Sequence, residues 1–520
     1  MVLYGFQTYS IQKYIFASNK LREIVGASAQ IDSLAKKHFP EFAKQCGESI
    51  SKDNILREAG GSGFFLLDDS SVLPALWPLY VELAFPGLNI SYATVSVENN
   101  ITKEHIKNLY EKLEENRNFY FSAKEPASPL ARISPSSGLP AVAYKKDSFL
   151  DREAESKLES SKSQEIEFRL QVQKSLKKEN LPFDVGMLTS DKFKNFIAVI
   201  HIDGNHLGAL NLEFYKKASE EEYAQQYKEF TSTIATITEA AYKKAWQETI
   251  GFKKTKDGKL VLEARTIILG GDDLTILTSP EKALPFTKTF LEEFERQSKE
   301  KLQKFKLSRT HLTACAGIVF MKKNYPFFRA VHIAEELCSA AKKESKSADK
   351  GAPSSVYVMK VIGESLDSFA EYVKRKREWG LLVHNQKKVF RLGAGALFLN
   401  QQYGLSLEQF MQTLQELKHS SVSKGGLKDV LARLQTSYSD AEARYNRLKQ
   451  VTEEKNIFKK IESLASQQQK DSFSALFRLQ KESTKGEEGK EIHFIPLYDL
   501  LSLLDFVEEK ADQEKKEIAS

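Results

Sequence analysis

At 520 residues the chain exceeds one ordinary domain, and length alone suggests about three or four. Its 41% hydrophobic content, with 33 Phe and 19 Tyr, supplies several buried cores and excludes a wholly disordered chain. A net charge of +6, from 76 Lys and Arg against 70 Asp and Glu, does not indicate a nucleic-acid coat protein or a polybasic membrane binder, while local basic patches stay open.

The opening MVLYGFQTYSIQKYIF has no charged stretch before an apolar core, so it does not read as a signal peptide. No apolar run approaches the ~18 residues of a membrane span, and the expectation is a cytoplasmic protein without a membrane partner. Within a first segment, 1–125, Val2–Phe6 reads as a strand, followed by amphipathic helices around Ile11–Ile15 and after IVGAS. The tip Gly60-Gly61-Ser62-Gly63 before Phe64–Leu67 reads as a tight turn feeding a buried strand. Leu88–Val97 alternates as a strand, and Ile101–Asn116 reads as a helix.

From 126 to 190 proline and serine are frequent, and the segment reads as an irregular connector. Its charged stretch, Phe149–Glu179, is expected to be a solvated helix or linker. A second globular segment, 191–365, begins with the apolar strand Phe196–Ile202 and a helix over 220–247. Thr266–Thr278 (TIILGGDDLTILT) is the strongest hairpin signal in the chain. A helix at Glu281–Phe305, a strand at Leu312–Phe320, a helix opened by Pro326 and a strand at Val356–Val361 follow. This strand–helix–strand–strand–helix–strand order is ferredoxin-like. Both segments carry a Gly-Gly hairpin tip, which suggests a degenerate duplication.

The last segment, 366–520, reads as an α-helical domain without strands. Its expected helices are Leu405–Lys418, Leu427–Gln450, Phe473–Glu482 and Leu497–Glu509, with a frayed charged tail.

Two adjacent carboxylates, Asp272 and Asp273, repel each other in a turn that needs neither. A divalent cation with hard oxygen ligands would relieve that repulsion. Asp203, at the end of an apolar strand, would lie beside the hairpin in a ferredoxin-like sheet, so the three carboxylates could converge on one or two metal ions. Gly204 and Gly208 follow in a turn of the kind that presents N–H groups to phosphates. Lys342, Lys343 and Lys346 close the helix begun at Pro326, where they either complement its dipole or clamp a triphosphate. Lys342 is the first choice for the clamp. His201 and His206 are expected to pack or tune the site, because Mg²⁺ prefers oxygen. Cys46, Cys315 and Cys338 form no CxxC pair, so a four-cysteine zinc site is not expected.

The stretches IHIDGNHLGAL, LGGDDLTIL and AGIVF with YPFFRAVHIAEELCSAAKK together resemble the second palm domain of the large polymerase subunit of type III CRISPR effector complexes. YIFASNKLREIVGASAQID and REAGGSGFFLL resemble that family's degenerate first palm, and SSGLPAVAYKKDSFL its connector. The resemblance implies an α+β chain with two ferredoxin-like, nucleotide-cyclase-like palms and an α-helical C-terminal domain. It implies conversion of ATP into cyclic oligoadenylate or a related adenylyl messenger when the complex binds target RNA. Asp203, Asp272 and Asp273 would be catalytic and, with Ile202, would form the Mg²⁺ or Mn²⁺ set. Gly204, Asn205, Gly208, Gly270, Gly271 and Lys342 would bind nucleotide, joined from the first palm by Ser28, Gly60 and Gly61.

Three departures from the family shape further expectations. The chain opens on the palm and has no His-Asp dipeptide, so no DNase activity is expected. The inter-palm cysteines are missing, so no zinc is expected, and Asn205 stands where a third acidic residue is frequent. The implied partners are guide or target RNA and other subunits of the complex. A diguanylate-cyclase-like enzyme and a non-catalytic RNA-binding scaffold are the alternatives. The scaffold would use the basic stretches at 342–350 and 374–377.

Overall fold

The computed structural model describes residues 1–98, 100–117, 130–135, 137–145, 147–161, 166–172, 176–189, 191–220, 222–255, 257–362, 369–383, 386–465, 473–482 and 490–507. The tail expected to fray and the boundary at 125/126 lie outside these residues.

The first palm consists of β1 (Val2–Tyr9), α1 (Leu21–Ser33), the hairpin β2 (Ile55–Ala59) and β3 (Ser62–Leu67), α2 (Leu73–Ala84) and β4 (Asn89–Ser96), with α3 (Lys103–Asn116) packed behind. Its sheet runs β2-β3-β1-β4, antiparallel throughout. Helix α4 (Arg152–Ser160) follows in the connector. The second palm consists of β5 (Phe196–Gly204), α5 (Leu207–Lys217), α6 (Tyr223–Thr249), β6 (Ala264–Gly270), β7 (Asp273–Thr278), α7 (Ala283–Lys301), β8 (Ala314–Lys322), α8 (Phe327–Ala348) and β9 (Ser355–Lys360). Its first four strands run β6-β7-β5-β8. Numbered within each palm, both sheets have the order second, third, first, fourth, which is the ferredoxin-like arrangement. Beyond it, β9 pairs parallel to β8, and β12 (Leu397–Phe398) adds an edge to the second sheet.

The uninterrupted apolar run in β5 follows from cover on both faces. Phe196, Ala198, Ile200 and Ile202 point into a core shared with α6 and α7. Ile197 and Val199 point into a second core shared with α8 and the first palm. That alternation decides where the strand's last residues go. Asp203 falls on the face of Ile197 and Val199, the face α8 covers.

Helix α8 sits very close to the sheet because Gly317 in β8 has no side chain. A Cβ there would stand 1.9 Å from the Ala334 carbonyl oxygen and 2.7 Å from the Cys338 nitrogen. Gly317→Ala is therefore expected to lift α8 and to cost about 2–3 kcal/mol, read as a lower denaturation midpoint, with Gly208→Ala, at an open position, as the control.

Among the described residues, part of the connector is buried where a solvated segment was expected. Helix α4 lies against α1, where a Cβ on Gly26 would fall 1.7 Å from the Lys157 carbonyl oxygen. Lys157 is buried and donates to the Tyr14 carbonyl at 2.6 Å. Glu167 is buried too, accepting from the Thr266 N–H at 2.9 Å and lying 3.7 Å from the buried Arg265. Two charges of the run are thus buried, Lys157 against the first palm and Glu167 against the second, while Lys177, Lys178 and Glu179 are exposed.

The C-terminal segment is helical through α9 (Leu407–His419), α10 (Lys424–Leu434), α11 (Tyr438–Val451) and α12 (Lys455–Ala465). The single helix expected over Leu427–Gln450 breaks where Ser437 caps α11, its hydroxyl accepting from the Asp440 N–H at 3.2 Å. The expectation of no strands is corrected. β10 (Glu378–Val383), β11 (Gln386–Leu392), β13 (Arg478–Glu482) and β14 (Lys490–Ile495) form a sheet in the order β10-β11-β14-β13. Much of Phe473–Glu482, expected as a helix, is strand β13, because it pairs with β14. Helix α13 (Pro496–Leu503) follows. No helix among the described residues is long and apolar enough to cross a membrane.

Candidate active site

Pairing of Gly270 with Asp273 leaves Gly271 and Asp272 as a two-residue turn. Gly271 supplies the positive φ, +62°, that such a turn requires. Thr238 on α6 fixes the tip by donating its hydroxyl to the Gly271 carbonyl at 2.6 Å. This threonine was not singled out in the sequence, where it is one of several in the helix.

Strand β7 pairs with β5 through Leu274 and Ile202, which brings Asp273 to the level of Asp203. One carboxylate oxygen from each of Asp203, Asp272 and Asp273 lies within 4.8 Å of the others. The expected convergence is present. Gly204 admits Asp272, since a Cβ there would meet its Oδ2 at 2.8 Å. Ile202 has a fully buried side chain, so only its main chain can face a ligand.

Burial, and then the charge of Asp203, push the Asp272 carboxyl up to about 6. Burial, followed by Asp272 and Asp203, pushes Asp273 well above its ordinary range. Three crowded oxygen donors, two of them held back from ionising, suit a hard divalent cation such as Mg²⁺ or Mn²⁺. Lys342 reaches the group from α8, donating to Asp203 Oδ2 and to the Gly204 carbonyl at 2.8 Å. Burial pulls its ammonium down, but the hydrogen bond and charge of Asp203 outweigh this, and its pKa is raised.

The neighbouring residues divide between tuning and structure. His201 is buried beside Thr275, its Nδ1 at 3.1 Å from the hydroxyl, and burial lowers its pKa to about 4. It is a neutral packing residue, as expected. His206 begins α5 in a left-handed conformation, φ +62°. Burial, then Arg309, Lys346 and Lys342, lower its pKa. Arg309 thus belongs to the basic rim of the site and was missed in the sequence, where nothing ties it to the lysines of α8. Lys343 is exposed. Asn205 turns inward at 1% exposure. Its amide donates to Thr313 Oγ1 at 3.0 Å and the Ala352 carbonyl at 3.1 Å, so it anchors the strand end. Gly208 lies exposed in the first turn of α5.

The first palm repeats the hairpin without its chemistry. Ala59 pairs with Ser62, and Gly60 and Gly61 form the turn with φ of +56° and +76°. Strand register then places Gln7, Gly61 and Ser62 where the second palm has Asp203, Asp272 and Asp273. The Gly-Gly pairs are therefore offset by one residue, because Ala59-Gly60 occupies the place of Gly270-Gly271. No carboxylate stands at any of the three positions. Gly61 is packed against Thr8 and Ile31, whereas Gly60 is open. Ser28 is tied across the palms, donating to the Ile267 carbonyl in β6. Gly60, Gly270 and Gly271 line a cleft of about 380 Å³ between the palms, with Arg57 and Lys228 on its walls. Arg57 donates to the hydroxyls of Tyr110 at 2.7 Å and Tyr227 at 3.2 Å, joining first palm to second.

Residues 196–350 match the model of the Cas10/Cmr2 second palm domain. No curated protein matches the chain. Among solved structures, a Csm1–Csm4 cassette in complex with cA4 is 14% identical with a TM-score of 0.50, covering 98% of this chain and 70% of that one. A cassette in complex with cA3 is 13% identical, and one with pppApA 12%, both at a TM-score of 0.50 and 98% cover of this chain, with 70% and 69% of those chains covered. At these identities the structural likeness is one of fold. Residues 196–350 are thus a second palm of the Cas10/Cmr2 kind, the polymerase palm found in the large subunit of type III CRISPR effector complexes.

Proposed function

We propose that the chain is the nucleotidyltransferase of a type III CRISPR antiviral system, converting ATP to cyclic oligoadenylate or a related adenylyl messenger. The observation that carries this reading is the convergence of Asp203, Asp272 and Asp273 within 4.8 Å beside Lys342. Mg²⁺ or Mn²⁺ held by the three carboxylates would activate an attacking hydroxyl and stabilise a leaving pyrophosphate. In the transfer, a ribose hydroxyl of one ATP would give up its proton to solvent and bond to the α-phosphorus of another, as the bond from that phosphorus to the leaving pyrophosphate breaks.

The chain's residues would divide the remaining work. Lys342, with Arg309 and Lys346 on the rim, would hold the triphosphate. The first turn of α5, open at Gly208, would present N–H groups to it. Gly60 and the inter-palm cleft would receive the acceptor nucleotide, while the first palm, lacking carboxylates, would bind without transferring. A sister subunit of the Csm4 kind is the inferred protein partner, and target RNA the inferred trigger. The relatives crystallised with cA4, cA3 and pppApA support adenylyl chemistry.

A diguanylate-cyclase-like reading needs two copies of one active palm, whereas this chain pairs one acidic palm with one that has no carboxylates. Pyrophosphate release with Mn²⁺, from ATP or GTP, by the chain alone and in its RNA-bound complex, separates the readings. Release from ATP supports the proposal. Release from GTP alone, or from neither under either condition, contradicts it.

A further inference from the structure

Helix α2 of the first palm is apolar on both sides. Leu73, Trp77 and Val81 face inward with at most 1% exposure. On the other side Val72 at its N-cap, Leu76, Leu79 and Leu83 are 49%, 41%, 57% and 71% exposed. At 100° per residue those four fall within an arc of roughly 60°, a continuous stripe along the helix. A helix that is apolar all round is normally covered. Its counterpart in the second palm is α7, which occupies the same place between third and fourth strands. Leu284, Phe286, Phe290, Leu291 and Phe294 of α7 are all buried, and α7 runs along α6. In the first palm α2 packs on β4 and on the short helix Phe39–Gln45, and its outer stripe has no such cover among the described residues.

The charge around the stripe indicates what covers it. From Phe64 to Thr102 the sequence has no Lys, Arg or His, and it carries Asp68, Asp69, Glu82 and Glu98. Glu82 is the only charged residue within α2. Glu48 sits at the helix start, accepting from the Val72 N–H at 3.2 Å, and Glu41 lies beside Tyr80. Nearby positive groups include the N-terminal amine, paired with Asp69 at 3.1 Å, the exposed Lys44 and, beside His38, the exposed Lys37. His38, against Phe85 at the far end, has its pKa lowered by burial.

We infer that the outer face of α2 is a docking surface for one amphipathic helix of a partner protein, with an apolar stripe flanked by Lys and Arg. The partner helix would give α2 the cover that α6 gives α7, and its basic flanks would meet the acidic rim. A second copy of this chain fits poorly, because two acidic rims would face each other.

The test uses the full chain and two labelled sixteen-residue helical peptides, one of leucine and lysine and one of leucine and glutamate. The leucine–lysine peptide is expected to bind at least tenfold more tightly. Leu79→Glu with Leu83→Glu is expected to weaken it at least tenfold at an unchanged melting temperature. Should that variant fail to fold, Leu83→Gln at the most exposed position is expected to weaken binding about threefold. Equal binding of both peptides, or no loss in the folded variants, overturns the inference. A wild-type dimer that the variants dissociate would assign the face to a second copy, and variant-sensitive binding to vesicles of anionic lipid would assign it to a membrane. Either result overturns it.

Discussion

Replacing Asp272 and Asp273 together with alanine is expected to reduce nucleotide turnover at least about a thousandfold, since the charge stabilisation that a metal pair supplies is lost with its ligands. The same change should stabilise the metal-free protein. The sign follows from the raised carboxyl: with a folded pKa of about 6 against an ordinary 3.8, Asp272 takes up a proton on folding between those values. Metal-free stability therefore falls as pH rises from about 4 to 6, and the penalty is fully present above 6. Relative to wild type, Asp272→Asn should gain on the order of 2–3 kcal/mol in chelator at pH 7.5 and little at pH 4. Added Mn²⁺ should raise the melting temperature of wild type and leave the double alanine variant unchanged. A variant less stable than wild type at pH 7.5 without metal would contradict this description of the site.

Lys342→Met is expected to lower kcat/KM for ATP about 10–100-fold, the scale of a lost charge-assisted hydrogen bond to phosphate. In the metal-free protein this ammonium neutralises Asp203. In the proposed reaction, with the carboxylates engaged by a cation, it would be free to meet a triphosphate. The loss should fall mainly in KM, and Lys342→Arg should recover part of it. Because Lys342 also contacts the Gly204 carbonyl, thermal melting of the variant separates a local loss from collapse of the strand end. A KM equal to wild type would remove Lys342 from substrate binding.

The second palm was legible because its signals are local. A strand buried on both faces reads as a continuous apolar run, and a Gly-Gly turn followed by acids reads as a hairpin with surplus charge. Their convergence needed only the ferredoxin-like strand order. What escaped depends on contacts distant in sequence. The one-residue offset between the hairpins is visible only in strand register, where Ser62 lies opposite Gln7. Ser28 reads as a small helical residue, and its bond to Ile267 exists only because the palms pack together. Asn205 looks like a site residue by position, yet Thr313 and Ala352 claim its amide. Strand Arg478–Glu482 was missed because it is short and polar, and the partner that makes it a strand lies beyond it in the chain. Charge in the connector suggested solvent exposure, whereas Lys157 and Glu167 are buried with opposite charges.

Mass spectrometry of the products formed from ATP and Mn²⁺, by wild type and by the Asp272→Ala, Asp273→Ala variant, each assembled with its sister subunits and target RNA, addresses the proposed activity directly. The proposal predicts linear or cyclic adenylate oligomers from wild type and none from the variant. Equal products from both proteins, or none from the assembled wild type, would contradict it.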